Sequence, residues 1–321
     1  MNHREIFRQI AANWNDPSWW RFSALPFAIR QSILQPYYEY VANVESHDFM
    51  AEDWDNLIIL DACRYDLFAS VWDGHGNLGW RMSPGSNTPE FLVETFGNRQ
   101  FDDVVYVTAN PQVNVHTDDS FHAVINVWET DWDEGLNTVP PGPMAEATLT
   151  AHERYPDKRL ITHFVQPHYP FIGEYGRQAL DEQTGLELSR DIASDRERPT
   201  AHDHIWLRLR SGRVDPAIVQ RAYRENLEIT LPHVTRILDQ VEEPTVVTAD
   251  HGNSFGTRAT PLGIPIWGHP PGVKIPELVK VPWLEVPGTK RKDLVADQAA
   301  ARDKTDRSVV DDRLRDLGYV T

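Results

Sequence analysis

The stretch Thr245-Val246-Val247-Thr248-Ala249-Asp250-His251-Gly252 decides how this chain is read. Its β-branched, apolar start predicts a short buried strand. The run stops at a carboxylate and an imidazole side by side, and the glycine after them predicts that the backbone turns away. Parallel strands end this way where the carboxyl edge of a sheet holds a ligand or a metal. Far upstream, Asn56-Leu57-Ile58-Ile59-Leu60-Asp61 is a second apolar strand ending in aspartate. Two strand tips, each with a hard oxygen donor, predict one shared cation.

Working outward, Val104–Thr108 and Leu160–Val165 read as further strands, ending at Asn110 and at Gln166-Pro167-His168. Val279–Val286 reads as a late strand that Pro282 assigns to a sheet edge. Cys63–Val71 has the look of a helix start. A long helix is predicted from Asp215 to about residue 241, with Asp215 as cap, Pro216 in the first turn and a kink at Pro232. Val309–Leu317 is a short terminal helix. Residues 1–50 read as helical and amphipathic, broken by Pro17, Pro26 and Pro36. The polar segment 174–213 reads as an insertion or lid. Strands alternating with helices predict an α/β fold: a mostly parallel central sheet sandwiched by helices, in a domain of residues 51–321 with an N-terminal helical extension of residues 1–50.

Bulk composition narrows the function. The chain has 321 residues, 40% of them hydrophobic, enough for one large domain. A formal charge of −17 argues against nucleic acid as a partner. The single cysteine, Cys63, rules out a disulfide framework and a cysteine-rich zinc site. With only six lysines, the acidic surface suits a salt-rich, halophilic cytoplasm. No stretch is apolar enough to span a bilayer, and Met1–Asn15 is too polar for a secretory signal, so a cytoplasmic protein is expected. The aromatic-rich segment from Trp19 to Tyr38, with Arg21 and Arg30 in it, has two readings: a helix covering the sheet, or a segment peripheral to the membrane in contact with its surface.

Several motifs, taken in order, resemble the sulfatase-like branch of the alkaline phosphatase superfamily, which includes sulfatases and phosphoglycerol transferases. Leu60-Asp61-Ala62-Cys63-Arg64-Tyr65-Asp66 is similar to its first metal-binding strand end. Gln166-Pro167-His168-Tyr169-Pro170-Phe171 resembles its central Pro-His motif, and Thr248-Ala249-Asp250-His251-Gly252 its late Asp-His-Gly motif. Lys280-Val281-Pro282-Trp283-Leu284 and Leu314-Arg315-Asp316-Leu317-Gly318-Tyr319 are similar to the strand and the ending that follow.

The resemblance implies a metal-dependent enzyme acting on phosphate or sulfate esters. Asp61, Asp250 and His251 are its expected metal ligands, with Thr88 as a fourth. Their mixed oxygen and nitrogen donors suit zinc or manganese, with magnesium or calcium as further candidates and one or two ions as the range. The nucleophile is expected in Ser83-Pro84-Gly85-Ser86-Asn87-Thr88-Pro89-Glu90: Thr88 first, Ser86 second, at a helix start whose amides would face an anionic substrate. The Cys-x-Pro-Ser-Arg motif of sulfatases is absent, which favours phosphoester hydrolysis or phosphoryl transfer. His168 is expected to bind the ester or protonate its leaving group. His269 is expected to contact substrate or a second metal. Arg64 is expected either to fork onto substrate oxygens or to pair with Asp66. Asn110 is a looser candidate from its strand-end position, and His163 reads as a core histidine. Analogy extends the substrate to a glycan or lipid headgroup. A non-catalytic metal-containing binding protein of the same fold, and a sulfatase without formylglycine, are the competing readings.

Overall fold

The computed structural model describes residues 10–117, 119–180, 205–297 and 307–318. Seven strands form one sheet: β1 (Asn56–Leu60), β2 (Asn77–Met82), β3 (Phe101–Thr108), β4 (Phe121–Asn126), β5 (Arg159–Phe164), β6 (Thr245–Thr248) and β9 (Lys280–Val286), while β7 (Ser254–Ala259) and β8 (Ile264–Gly268) make a separate hairpin. The order across the sheet is β2-β9-β6-β1-β5-β3-β4. The run β6-β1-β5-β3-β4 is parallel, β9 pairs antiparallel with β6, and β2 pairs antiparallel with β9. The expected mostly parallel sheet flanked by helices is what the chain builds. The principal helices are α1 (Tyr65–Val71), α2 (Thr88–Phe96), α3 (Pro141–Arg154), α4 (Ile205–Arg210), α5 (Pro216–Leu238) and α6 (Arg307–Asp316).

The apolar run of β1 is explained by its position. It lies mid-sheet between β5 and β6, and every residue in it is buried. Helix α3 packs on β3 and β5 and also touches α5, so these strands are covered by helix rather than water. Phe96 of α2 packs edge-on against Phe91, Phe101, Tyr106 and Phe121, tying that helix to the β3–β4 side. The core runs on to Val310, Leu314 and Leu317 at the C-terminal end, so α6 belongs to the main body.

Two expectations are corrected. Pro282 does not mark an edge, because β9 pairs with both β2 and β6. The Pro282 carbonyl accepts a 2.7 Å bond from Thr248 Oγ1, so its backbone polar side faces the end of β6, where no further ladder donor is needed. Nor do Pro26 and Pro36 break the N-terminal helix. A π turn, Trp20–Ala24, precedes the first, and another, Arg30–Leu34, precedes the second. Each widened turn relieves the clash of the proline ring with the preceding carbonyls. The proline- and glycine-rich stretch after Gly252 contains the β7–β8 hairpin.

The N-terminal helix lies on this hairpin rather than on the sheet. Leu34 and Tyr38 are buried against Ala259, Ile266, Val273 and Ile275. Of the polar segment 174–213, residues 181–204 lie outside the described residues. Its later part forms α4, with Ile205, Trp206 and Leu209 buried. Among the described residues, no helix is long and apolar enough to cross a membrane.

Candidate metal centre

Four parallel strands deliver side chains to the same carboxyl edge. Asp61 follows β1, Asn110 follows β3, His168 follows β5, and Asp250 and His251 follow β6. Asp61, Asp250 and His251 are all fully buried, and each offers one ligand atom within 4.8 Å of the others. His251 Nε2 is 3.5 Å from Asp61 Oδ1 and 3.4 Å from Asp250 Oδ2. Its Nδ1 lies 2.7 Å from the Gly252 carbonyl, so that nitrogen carries the proton and Nε2 turns its lone pair to the carboxylates.

Local backbone geometry holds this arrangement. Ala62 sits at φ 61°, in the left-handed region that costs a β-carbon-bearing residue on the order of 1 kcal/mol. This bend lets the Ala62 N–H donate to Asp250 Oδ1 at 3.0 Å, while the Ala62 carbonyl accepts from the Tyr223 hydroxyl of α5. The His251 N–H donates to the same Asp250 oxygen at 2.8 Å. Gly252 answers a different need from the expected turn. A β-carbon there would lie 2.2 Å from the Glu277 carbonyl oxygen, and its N–H donates to the Leu278 carbonyl at 2.7 Å. The glycine lets a neighbouring segment approach the loop closely.

Thr88 is the first residue of α2, and Asn87 caps that helix by accepting from the Glu90 N–H at 2.9 Å. The Thr88 hydroxyl is 2.8 Å from Asp250 Oδ2 and 3.2 Å from His251 Nε2. Ser86, two residues earlier, faces elsewhere. Its hydroxyl meets Glu90 Oε2 at 2.8 Å and the Pro270 carbonyl at 3.0 Å. Of the two hydroxyls named from the sequence, the fold brings Thr88 to the acidic cluster and uses Ser86 to brace the helix start.

His168 and His269 stand beside this cluster. Their Nε2 atoms are 2.8 Å apart, and the His269 ring centre is 4.7 Å from that of His251. His168 Nδ1 hydrogen-bonds the Tyr169 carbonyl, which leaves Nε2 of that ring to face His269. Arg64 forks onto Asp66 at 2.7 and 2.6 Å and reaches the Asn253 carbonyl at 3.2 Å. It takes the salt-bridge alternative and lines an open cleft with Tyr65, Glu277 and Lys280.

Several supporting residues gave little sign in the sequence. Asn110, the looser candidate, donates to Asp61 Oδ2 at 2.8 Å. His163 is indeed a core histidine, yet its Nε2 is 3.8 Å from Asp250 Oδ2 and its Nδ1 is 2.9 Å from the Tyr106 hydroxyl. Burial lowers the His163 pKa to about 4 despite the Asp250 carboxylate, so the ring is neutral near pH 7. Burial would by itself raise the pKa of Asp250. The neighbouring His251 and His163, the Ala62 N–H and the Thr88 hydroxyl outweigh that and hold it below the usual carboxylate range. Asn226, inside α5, donates to the carbonyls of His168 at 3.1 Å and Pro170 at 2.9 Å and so braces the His168 loop. A polar residue in the apolar stripe of a long helix was the only available signal for it.

The donor set fits a divalent cation. Two buried carboxylates and a correctly oriented imidazole nitrogen converge, and buried negative charge of this density is costly without a counter-charge.

No family model matches the sequence, and no curated protein matches it. Among solved structures, the chain is similar to the soluble domain of lipooligosaccharide phosphoethanolamine transferase A from Neisseria meningitidis, at 12% identity over 71% of this chain and 75% of that one, with a TM-score of 0.43. It is similar to the C-terminal periplasmic domain of phosphoethanolamine transferase EptC from Campylobacter jejuni, at 14% identity over 72% and 78%, with a TM-score of 0.44. A protein in the alkaline phosphatase superfamily from Vibrio parahaemolyticus is similar at 11% identity over 89% and 74%, with a TM-score of 0.37. Likenesses this distant carry no argument about activity, which rests on the geometry of the site.

Proposed function

We propose that this chain is a metal-dependent enzyme that hydrolyses phosphoesters or transfers their phosphoryl groups, with Thr88 as the nucleophile. The observation that carries this reading is the Thr88 hydroxyl, 2.8 Å from Asp250 Oδ2 and 3.2 Å from His251 Nε2 within a buried acidic cluster. A divalent ion held by Asp61, Asp250 and His251 would supply positive charge that lowers the pKa of that hydroxyl and screens the ester oxygens. On this reading residues 51–321 are the catalytic unit and residues 1–50 an extension. The oxygen and nitrogen donors favour zinc or manganese.

Thr88 lies at the amino end of α2, where backbone N–H groups and the helix dipole favour an anionic group. The hydroxyl releases its proton to solvent as its oxygen bonds to phosphorus, while the bond from phosphorus to the leaving oxygen breaks. The His168–His269 pair, protonated, would give a proton to that oxygen and regain one from solvent. Water or an acceptor hydroxyl then displaces Thr88 from phosphorus by the same path in reverse. The absence of the sulfatase cysteine motif supports phosphorus over sulfur as the centre attacked.

Thr88→Ala tests the proposal. Turnover of phosphate mono- and diesters should fall by at least a thousandfold, in line with the loss of a nucleophile, while elemental analysis still finds metal in the protein. Undiminished turnover in that variant would refute the nucleophile. Sulfate esters cleaved far faster than phosphate esters by the wild-type protein would refute the substrate class.

A further inference from the structure

The turn that carries the first carboxylate departs from local preference. The Cys63 N–H donates to the Leu60 carbonyl at 3.1 Å, which makes Leu60-Asp61-Ala62-Cys63 a β-turn with Ala62 third. Ala62 has φ 61° there, at a turn position that favours glycine or asparagine when φ is positive. A residue with a β-carbon keeps that conformation only where its surroundings hold it. Two contacts from outside the turn do so. On one side the Ala62 N–H donates to Asp250 Oδ1 at 3.0 Å. On the other, the Tyr223 hydroxyl donates to the Ala62 carbonyl and accepts from the Arg64 N–H at 3.1 Å. A hydroxyl has the donor and the lone pairs for both bonds at once. Tyr223 is 2% exposed, and burial lifts its hydroxyl well above its ordinary pKa, so it keeps the proton it donates.

Resting on the function proposed above, we propose that Tyr223 is a positioning residue for the candidate metal centre, setting the spacing of the Asp61 and Asp250 carboxylates by locking the Ala62 turn. Asp61 immediately precedes the strained residue, and Asp250 is bonded to its N–H. The turn therefore links two ligands supplied by different strands. Without the Tyr223 hydroxyl, Ala62 relaxes toward negative φ, the turn reshapes and its N–H leaves Asp250 Oδ1. That oxygen then keeps the His251 N–H alone of its two backbone donors.

The same stretch of α5 reaches the His168 side of the centre. Asn226, three residues on and so on the same face of the helix, donates to the carbonyls of His168 and Pro170. The His168 N–H in turn donates to the Asp61 carbonyl at 3.2 Å. One turn of α5 thus fixes the Asp61 turn and the His168 loop against each other.

The test measures metal affinity of the full chain, by competition of zinc and of manganese with a chelator dye. Tyr223→Phe removes one oxygen and keeps the ring, and should bind either ion at least tenfold more weakly than wild type. Ala62→Gly accepts the positive φ without help and should bind within about threefold of wild type. In the A62G background, Tyr223→Phe should cost less than about threefold. That rescue separates positioning from packing, because a tyrosine that only packs α5 onto the body is missed equally in both backgrounds. Thermal unfolding in excess chelator checks that each variant is folded. A Tyr223→Phe protein that unfolds while the double variant folds would report the same strain through stability and support the proposal. Failure of both to fold would overturn it, as would equal affinity of wild type and Tyr223→Phe or an equal loss in both backgrounds. A wild-type chain that takes up neither ion would refute the metal centre, and this role with it. No substrate enters the measurement, so a failure of the phosphoester chemistry is told apart from a failure of the positioning.

Discussion

His163 shows how one buried side chain shapes the response of the protein to acid. Its ordinary pKa is 6.5, and burial places the folded-state value at about 4. Between those values the unfolded chain holds a proton that the folded chain refuses, so stability falls as pH falls, by about 3 kcal/mol across the window. His163→Gln removes that titration. Urea unfolding of wild type and variant between pH 7 and pH 4 should therefore show the wild type losing that much more, whereas parallel curves would contradict it. Asn110 acts on the other carboxylate. Asn110→Ala leaves Asp61 Oδ2 without its 2.8 Å donor and should weaken metal affinity by ten- to a hundredfold, measured by competition with a chelator dye. At this scale the sequence revealed those residues whose chemistry is written into a strand tip: Asp61, Asp250, His251 and, by motif, Thr88. It did not reveal Asn226 or the contacts of His163. Their roles depend on which carbonyl or carboxylate lies opposite, a fact of tertiary structure.

Among the elements, α5 offers a clean test of local signals. The Asp215 side chain accepts from the Ala217 N–H at 2.9 Å with Pro216 in the first turn, as its sequence predicts. Asp215→Ala should lower stability by about 1 kcal/mol, read as a shift in urea midpoint with an unchanged slope. Strands β1, β3, β5, β6 and β9 were all legible because the sheet interior demands short runs of apolar and β-branched residues. β2 escaped notice because its residues are half-buried or exposed and Gly79 lies within it. The β7–β8 hairpin was hidden by its prolines and glycines. The N-terminal helix was legible as helix, but its continuity was not, since a π turn leaves no compositional mark.

For the molecule as a whole, the candidate metal centre draws on strands remote in sequence. Chelation should therefore lower the unfolding temperature, and restored zinc or manganese should raise it again. An ion at a hundred times its dissociation constant adds about 2.7 kcal/mol to the folded state. An unfolding temperature insensitive to chelator and to added metal would argue against a resident ion. The overall architecture was readable in advance because strands and helices alternate along the chain. The placement of the N-terminal helix was not, because its apolar residues fit equally a sheet, a hairpin or a lipid.

The middle position of β1 bears on how the protein is made. This strand leaves the ribosome well before β6, one of its two neighbours, and the bond from the Ala62 N–H to Asp250 Oδ1 spans 188 residues. The centre thus cannot close until β6 and the loop after it have been translated. A product truncated before β6 should hold no ion, expose the apolar edge of β1, and depend on chaperones to stay in solution.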